Sequence, residues 1–269
     1  MKVLAATIAL LVATQTSRVD PVLERLDRYL EAYEPRLSEL IADELMLQDG
    51  HSTEGRRLRR RLASEVAFIA LPEGAGWLGF RHVKSVDGRS VDADDASLGR
   101  ALAASVTSNA ARRLLEDSAR HNLGLARTTN LPNLPLEFLH KRNRLRFVVR
   151  WDGTERVRAI STVRIAFVER MTPTLIRNPD GSDLWSAVKA WIDPGTGQLL
   201  RAEVRSLAPH GHETTNVIRV DFATHDTLGV LVPIEMHEEF PVGPNREGRS
   251  VARYSNYRRF QTSARIVPQ

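Results

Sequence analysis

Four of the eight histidines fall between residues 210 and 237, beside several carboxylates: His210-Gly211-His212-Glu213, His225 and His237-Glu238-Glu239. Imidazole and carboxylate together suit zinc or copper, and two histidines separated by one residue can point to the same side of a strand. The same residues also describe a wet loop, signalled by Pro209 and Gly211, followed by an outer strand face. Glu235, His237 and Glu239 have the parity opposite to Val230, Val232, Ile234 and Met236, which places them toward solvent. No metal site is assigned. Serine, histidine and aspartate are all present, but without a Gly-x-Ser-x-Gly elbow. Neither glycine-rich phosphate-binding pattern occurs, and Gly74-Ala75-Gly76 sits between two strand-like runs as a turn. The paired carboxylates Asp94-Asp95 and Glu238-Glu239 are sequence neighbours, and neighbours diverge on a strand. No catalytic residue and no cofactor is nominated.

The second chemically loaded feature is arginine. Of 38 basic residues only four are lysines, and the formal net charge is +5. Three clusters stand out: Arg56, Arg57, Arg59, Arg60 and Arg61; Lys141, Arg142, Arg144, Arg146 and Arg150; and Arg246, Arg249, Arg253, Arg258, Arg259 and Arg265. A nucleic-acid reader needs a recognisable module or a basic face with stacking aromatics. Aromatics are only 6% of this chain and no module is present, so no nucleic-acid partner is expected. The clusters read as solvated surface, or as a face attracted to an anionic envelope surface.

The third feature is apolar. Phe147, Val149, Ile165, Phe167, Ile218, Val220, Phe222, Ile234 and Met236 recur at strand spacing on one predicted sheet face. They could line a cavity for an apolar ligand or pack as ordinary core, since periodicity reports burial and not what fills the space.

These residues must be positioned by elements. Met1-Lys2, the uncharged run Val3–Ala13 and the small polar exit Ala13-Thr14-Gln15-Thr16-Ser17 have the three parts of a secretory signal peptide. The run is shorter than the ~20 residues that a spanning helix needs. Residues 1–17 are therefore expected to be a leader and 18–269 a single soluble domain, periplasmic or secreted, with no transmembrane segment. The absence of cysteine excludes a disulfide scaffold, thiolate chemistry and a cysteine lipid anchor. Asp20-Pro21 is expected to open a helix on which Leu23, Leu26, Leu30, Leu37, Leu40, Ile41 and Leu45 form one stripe, with Pro35 as a kink. Strands are predicted at 66–71, 77–86 and 89–91, with Asp87-Gly88 as the tight turn. A helical insert near 97–140 follows. It contains a helix over 98–121, an irregular stretch at Leu131-Pro132-Asn133-Leu134-Pro135, and a short helix over 136–140.

Seven further strands are predicted over 146–151, 157–170, 187–193, 199–206, 214–222, 230–240 and 250–260, joined by short turns at 151–154, 193–197 and 225–229. Leu200, Ala202 and Val204 alternate with Arg201, Glu203 and Arg205, which is the pattern of a sheet with one apolar and one wet face. The expected fold class is α+β: a strongly curved antiparallel β-sheet, a half-barrel meander of about nine strands, covered by helices.

The hairpin Ala190-Trp191-Ile192-Asp193-Pro194-Gly195-Thr196-Gly197-Gln198-Leu199-Leu200-Arg201 resembles the "W-I/V-D-x-x-T-G-x-x-x-R" hairpin of periplasmic lipoprotein-carrier and outer-membrane lipoprotein-sorting proteins. Ala252-Arg253-Tyr254-Ser255-Asn256-Tyr257-Arg258-Arg259-Phe260 is similar to their closing strand. The likeness covers roughly residues 145–262. It implies a half-barrel with a helical lid over a hydrophobic cavity, in a superfamily that includes sigma-factor regulators and mycobacterial-type lipid carriers. Trp77-Leu78-Gly79-Phe80-Arg81-His82-Val83, Val86-Asp87-Gly88-Arg89, Asn122-Leu123-Gly124 and Leu136-Glu137-Phe138-Leu139 also resemble a group of uncharacterised secreted bacterial proteins, and no function comes with that likeness.

The expectation is an exported, non-catalytic, carrier-like protein. It would hold a lipid, an acylated protein or another hydrophobic ligand between sheet and helices, with the nine apolar residues as its lining. The alternatives are an envelope sensor or protein-interaction module, and a metal-dependent hydrolase on the same scaffold.

Overall fold

A computed structural model describes residues 2–51, 54–70, 77–91, 108–123, 127–178, 180–207, 214–243 and 246–259. The chain divides into two compact units, one made of residues 1–33 and 135–224, the other of 34–134 and 225–269. Every strand pair in both is antiparallel.

The first unit contains most of helix α1 (Lys2–Leu37). Its strands are β5 (Phe147–Val157), β6 (Ile160–Glu169), β7 (Ile176–Arg177), β8 (Asp183–Ile192), β9 (Leu199–Leu207) and β10 (Thr214–His225). The ladder runs β10-β9-β8-β6-β5, and the two-residue β7 pairs with β8. Helix α3 (Leu134–Leu139) and a 3₁₀ turn (Lys141–Arg146) lead into β5. The predicted meander is present, with one change at its first hairpin. Asp152-Gly153 does not reverse the chain. The register shifts between Trp151 and Gly153, whose φ of 120° suits a bulge, and β5 continues to a two-residue turn at Arg158-Ala159. Arg158 has φ 55° there, the left-handed conformation that a tight hairpin turn requires. Arg164 holds the bulge by donating to the Asp152 carboxylate (2.6 Å) and carbonyl (2.9 Å).

The second unit holds β1 (Leu40–His51), β2 (Arg57–Ala70), β3 (Trp77–Val86), β4 (Arg89–Ser90), β11 (Val230–Gly243) and β12 (Arg246–Arg259), ordered β4-β3-β2-β1-β12-β11. Helix α2 (Ser108–Ala119) lies in the predicted insert. Asp87-Gly88, with φ 51° and 80°, makes the expected turn between β3 and β4.

The expected N-terminal helix needs two corrections. Its start is not at Asp20-Pro21, because α1 runs continuously from Lys2. Its end is at Leu37, two residues after Pro35, and Leu40, Ile41 and Leu45 belong to β1. A leucine every fourth residue fits a helix, but β1 is paired on both sides, with β2 and with β12. Two complete ladders outweigh the local helical spacing. With β1 and β7, neither of them among the predicted strands, the strands number twelve among the described residues, not about nine. No helix of the described residues is long and apolar enough to cross a membrane.

Candidate functional site

In the first unit, strand register gathers seven of the nine predicted lining residues. Val149 faces Phe167, Phe167 faces Val188, Val188 faces Val204 and Val204 faces Ile218. One step along, Trp151, Ile165, Ala190, Ala202 and Val220 form a second row across the same five strands. Partners in a ladder share a face, so these rows are continuous apolar bands. Phe147 and Phe222 extend them, and all but the half-buried Val149 and Trp151 are removed from solvent.

Helices α1 and α3 supply apolar partners. Val19, Val22, Leu26 and Leu30 of α1 are buried, as are Leu136, Phe138 and Leu139 of α3. Phe138, Phe147 and Phe167 meet edge to face, with centroids 6.1 and 6.3 Å apart. Asp27 of α1 accepts from Arg144 at 2.7 Å, and the Arg144 guanidinium lies 5.5 Å from the Phe167 ring. Burial lowers the Arg144 pKa even though Asp27 opposes the shift.

The carrier-like hairpin explains how α1 is seated. Asp193 closes its own turn, accepting from the Gly195 N–H (2.8 Å) and the Thr196 hydroxyl (2.9 Å). This delivers Gly197, with φ 78°, against α1. A Cβ there would lie 2.3 Å from the Arg25 carbonyl oxygen, so only glycine fits. Trp191 points to the other face. It donates to Glu155 at 2.9 Å and is flanked by the guanidiniums of Arg164 and Arg201, each 5.9 Å from its ring.

At one end of the apolar face sits a carboxylate that the sequence reading passed over. Glu169 is buried opposite Phe147. It accepts from the Leu175 N–H at 2.9 Å and lies 3.6 Å from Arg146. Burial pushes its pKa up against both contacts.

The remaining two predicted lining residues, Ile234 and Met236, are on β11 in the second unit, half-buried and fully buried respectively. The inward side of that unit is built differently. Arg81 of β3 is fully buried and makes a two-point contact with Glu44 of β1, at 2.5 and 2.9 Å. Burial disfavours the Arg81 cation, but Glu44 overcompensates and holds its pKa above the ordinary arginine value. Arg81 also donates to the Asn130 carbonyl (2.8 Å) and side chain (3.2 Å), while its backbone N–H donates to Ser118 of α2. Gln48 donates to Asn122 (3.0 Å) and accepts from the Leu123 N–H (2.7 Å). Arg127 donates to Glu238 (2.8 Å), which also accepts from Ser250 (2.9 Å), and it lies 3.5 Å from the Phe240 ring. Burial pushes the Tyr254 and Tyr257 hydroxyls well above the usual tyrosine pKa.

Glu44, Gln48, Arg81, Asn122 and Arg127 therefore form a connected polar seam, which the sequence reading missed. Its chemistry is positional. The principal donors meet acceptors, and the seam ties the segment after α2 to four strands. A charged residue directly after the apolar run Trp77-Leu78-Gly79-Phe80, at Arg81, was the available signal.

The histidine constellation can be followed only in part. His210, His212 and Glu213 lie outside the described residues. Glu238 is buried and points inward, while His237 pairs with Glu235 at 2.6 Å on the half-exposed opposite face. No cluster of metal ligands occurs among the described residues.

Several members of the arginine clusters form outward ion pairs. Arg253 meets Glu235 and Arg258 meets Asp43, both at 2.9 Å, and Arg57 pairs with Asp49. Arg60 instead turns inward to the carbonyls of His121 and Asn122. Arg59, Arg61 and Arg249 border a cleft of about 520 Å³ with Leu47 and Val251.

No protein-family model and no curated protein matches the chain. Solved structures do. A DUF1329 family protein from Desulfovibrio piger is 15% identical, with a TM-score of 0.45 over 89% of this chain and 93% of that one. A domain assigned to outer membrane lipoprotein sorting from Vibrio parahaemolyticus is 12% identical, with a TM-score of 0.46 over 91% and 94%. A LolA superfamily protein from Nitrosomonas europaea is 10% identical, with a TM-score of 0.38 over 92% and 96%.

Proposed function

We propose that the protein is an exported, non-catalytic carrier that holds a lipid, an acylated protein or another hydrophobic ligand against the apolar face of its first unit, beneath α1. The observation that carries this reading is the pair of apolar rows in register across five strands, capped by one amphipathic helix. An acyl chain entering between helix and sheet would gain ~0.8 kcal/mol per buried methylene. It would replace the contacts of Leu26 and Leu30 with contacts of the same chemistry. The ligand-lining role falls to Phe147, Val149, Ile165, Phe167, Ile218, Val220 and Phe222, while Ile234 and Met236 line the second unit. Residues 1–17 serve as the leader, and the mature helix then begins near Arg18, beside the buried Val19.

The test is mass spectrometry of an organic extract from protein purified gently out of the bacterial envelope. An acyl-bearing species at near one equivalent is expected. An extract free of apolar molecules overturns the reading.

A further inference from the structure

Beside the two apolar rows of the first unit's inward face runs a third row, and it is polar. Phe147 pairs with Glu169, Ser186 with Ser206, and Ser206 with Asn216. Glu169 and Ser186 stand one step past the Val168–Ala187 pair of the ladder between them, and the Ser186 backbone acts on the Glu169 carboxylate. Each of the four polar residues lies two positions from a member of the apolar row Phe167, Val188, Val204 and Ile218. They therefore share its face.

Glu169 is 1% exposed, Ser186 0% and Ser206 5%. Polar groups this deep are costly unless they are met by a partner. Among the described residues, three oxygens of the row are not: Glu169 Oε2, Ser186 Oγ and Asn216 Oδ1 are buried without a hydrogen-bond partner. Adjacent strands are ~4.8 Å apart, so the row from Glu169 to Asn216 is a polar strip roughly 14 Å long beside an apolar one.

The chemistry of the strip selects its occupant. Asn216 Oδ1 only accepts, and Ser186 Oγ can donate or accept. Glu169 accepts when ionised and donates when protonated, and burial favours the protonated form. A hydroxyl both donates and accepts, so it can meet all three. A carboxylate or phosphate dianion only accepts. It would leave Asn216 Oδ1 unmet and would set a second anion against Glu169. Arg146 does not change this, since it already stands 3.6 Å from Glu169 and donates to the Pro173 carbonyl.

We propose, on the carrier reading, that this row is the head-group subsite of the carried molecule and takes an uncharged, hydroxyl-bearing head on an apolar chain, as in an acylglycerol. The chain lies along the Phe167 row, and the hydroxyls meet Glu169, Ser186 and Asn216.

The experiment titrates the full chain, freed of bound lipid, with 1-monopalmitoylglycerol, methyl palmitate and palmitate, each below its aggregation threshold. Monopalmitoylglycerol is expected to bind about tenfold tighter than either of the others. Ser186→Ala and Asn216→Ala should each shrink that preference about threefold to fivefold, with the affinity for methyl palmitate unchanged. Ser186→Ala should leave the ligand-free melting temperature unchanged or raised, because the hydroxyl it removes has no partner to lose. Ser64, a buried serine of β2 in the second unit with an equally unmet hydroxyl, is the control, and Ser64→Ala should keep the full preference. Equal affinity for the three probes means that water alone meets the row, and it overturns the proposal. So does a preference that survives both Ser186→Ala and Asn216→Ala, or one that Ser64→Ala reduces as much. The carrier reading is decided separately by the envelope extract. An acyl-bearing extract from a protein that shows no head-group preference overturns this proposal alone, whereas an extract without apolar molecules removes both.

Discussion

The inward faces of the two units solve the same problem with different materials. In the first unit, Phe167, Val188, Val204 and Ile218 continue one another strand by strand, with the row of Glu169 the exception at one end. In the second, Met46, Leu62, Phe68 and Met236 share the interior with Glu44, Gln48, Arg81 and Glu238, all fully or nearly fully buried. An apolar face is graded: each contact is non-directional and any hydrophobic shape of the right size can replace part of it. A buried polar seam is conditional, because each member is costly unless its partner is in place. An apolar face can therefore exchange a covering helix for an acyl chain. A polar seam holds one arrangement, here the segment after α2 against β1, β3, β11 and β12.

The sharpest way to break this comparison is Arg81→Met. It leaves the Glu44 carboxylate buried without its cation and should cost about 3–5 kcal/mol in denaturant unfolding. Adding Glu44→Leu should recover much of that loss, short of full recovery because the Asn130 oxygens lose their donor. If the double variant is no better than the single one, the pair is not the organising element of the seam. On the apolar side, Ile165→Val should cost only about 0.5–1.5 kcal/mol, with ligand content retained. A collapse of the fold there would show the face to be as exacting as the seam.

The smallest expected effect has the opposite sign. Burial raises the Glu169 pKa, so its favourable contribution is fully present below about pH 4 and fades as pH rises through the raised value. Glu169→Gln keeps an acceptor for the Leu175 N–H and removes the buried charge. It should raise the melting temperature at neutral pH and flatten the pH dependence above about pH 4. A lowered melting temperature at neutral pH would mean that the charge on Arg146, 3.6 Å away, outweighs the burial.

The first unit was largely legible in the amino-acid sequence. Leu200, Ala202 and Val204 against Arg201, Glu203 and Arg205 alternate cleanly, and Asp193-Pro194-Gly195-Thr196-Gly197 states its turn in side-chain chemistry. The second unit was not. In β1 the inward positions are Ala42, Glu44, Met46 and Gln48, while Leu45 and Leu47 face outward, Leu47 with 48% exposure. Polarity there runs against burial, and leucines at helical intervals suggested a continuation of α1. The Gly153 bulge was likewise read as a turn, because a positive φ serves either purpose and only the partner strand decides.

By itself, the sequence determined the antiparallel character, the turns at Asp87-Gly88 and 193–197, and the apolar residues that line one face. Those features depend on neighbours within a few positions, where side-chain alternation and backbone preference act. Tertiary structure alone decided that Arg81 is a core residue, that Gly197 is the seat of α1, and that Arg144 is paired with Asp27. A charge is cheap or costly, free or neutralised, according to what stands within a few ångströms, and those partners lie 37 residues away for Arg81 and 117 for Arg144.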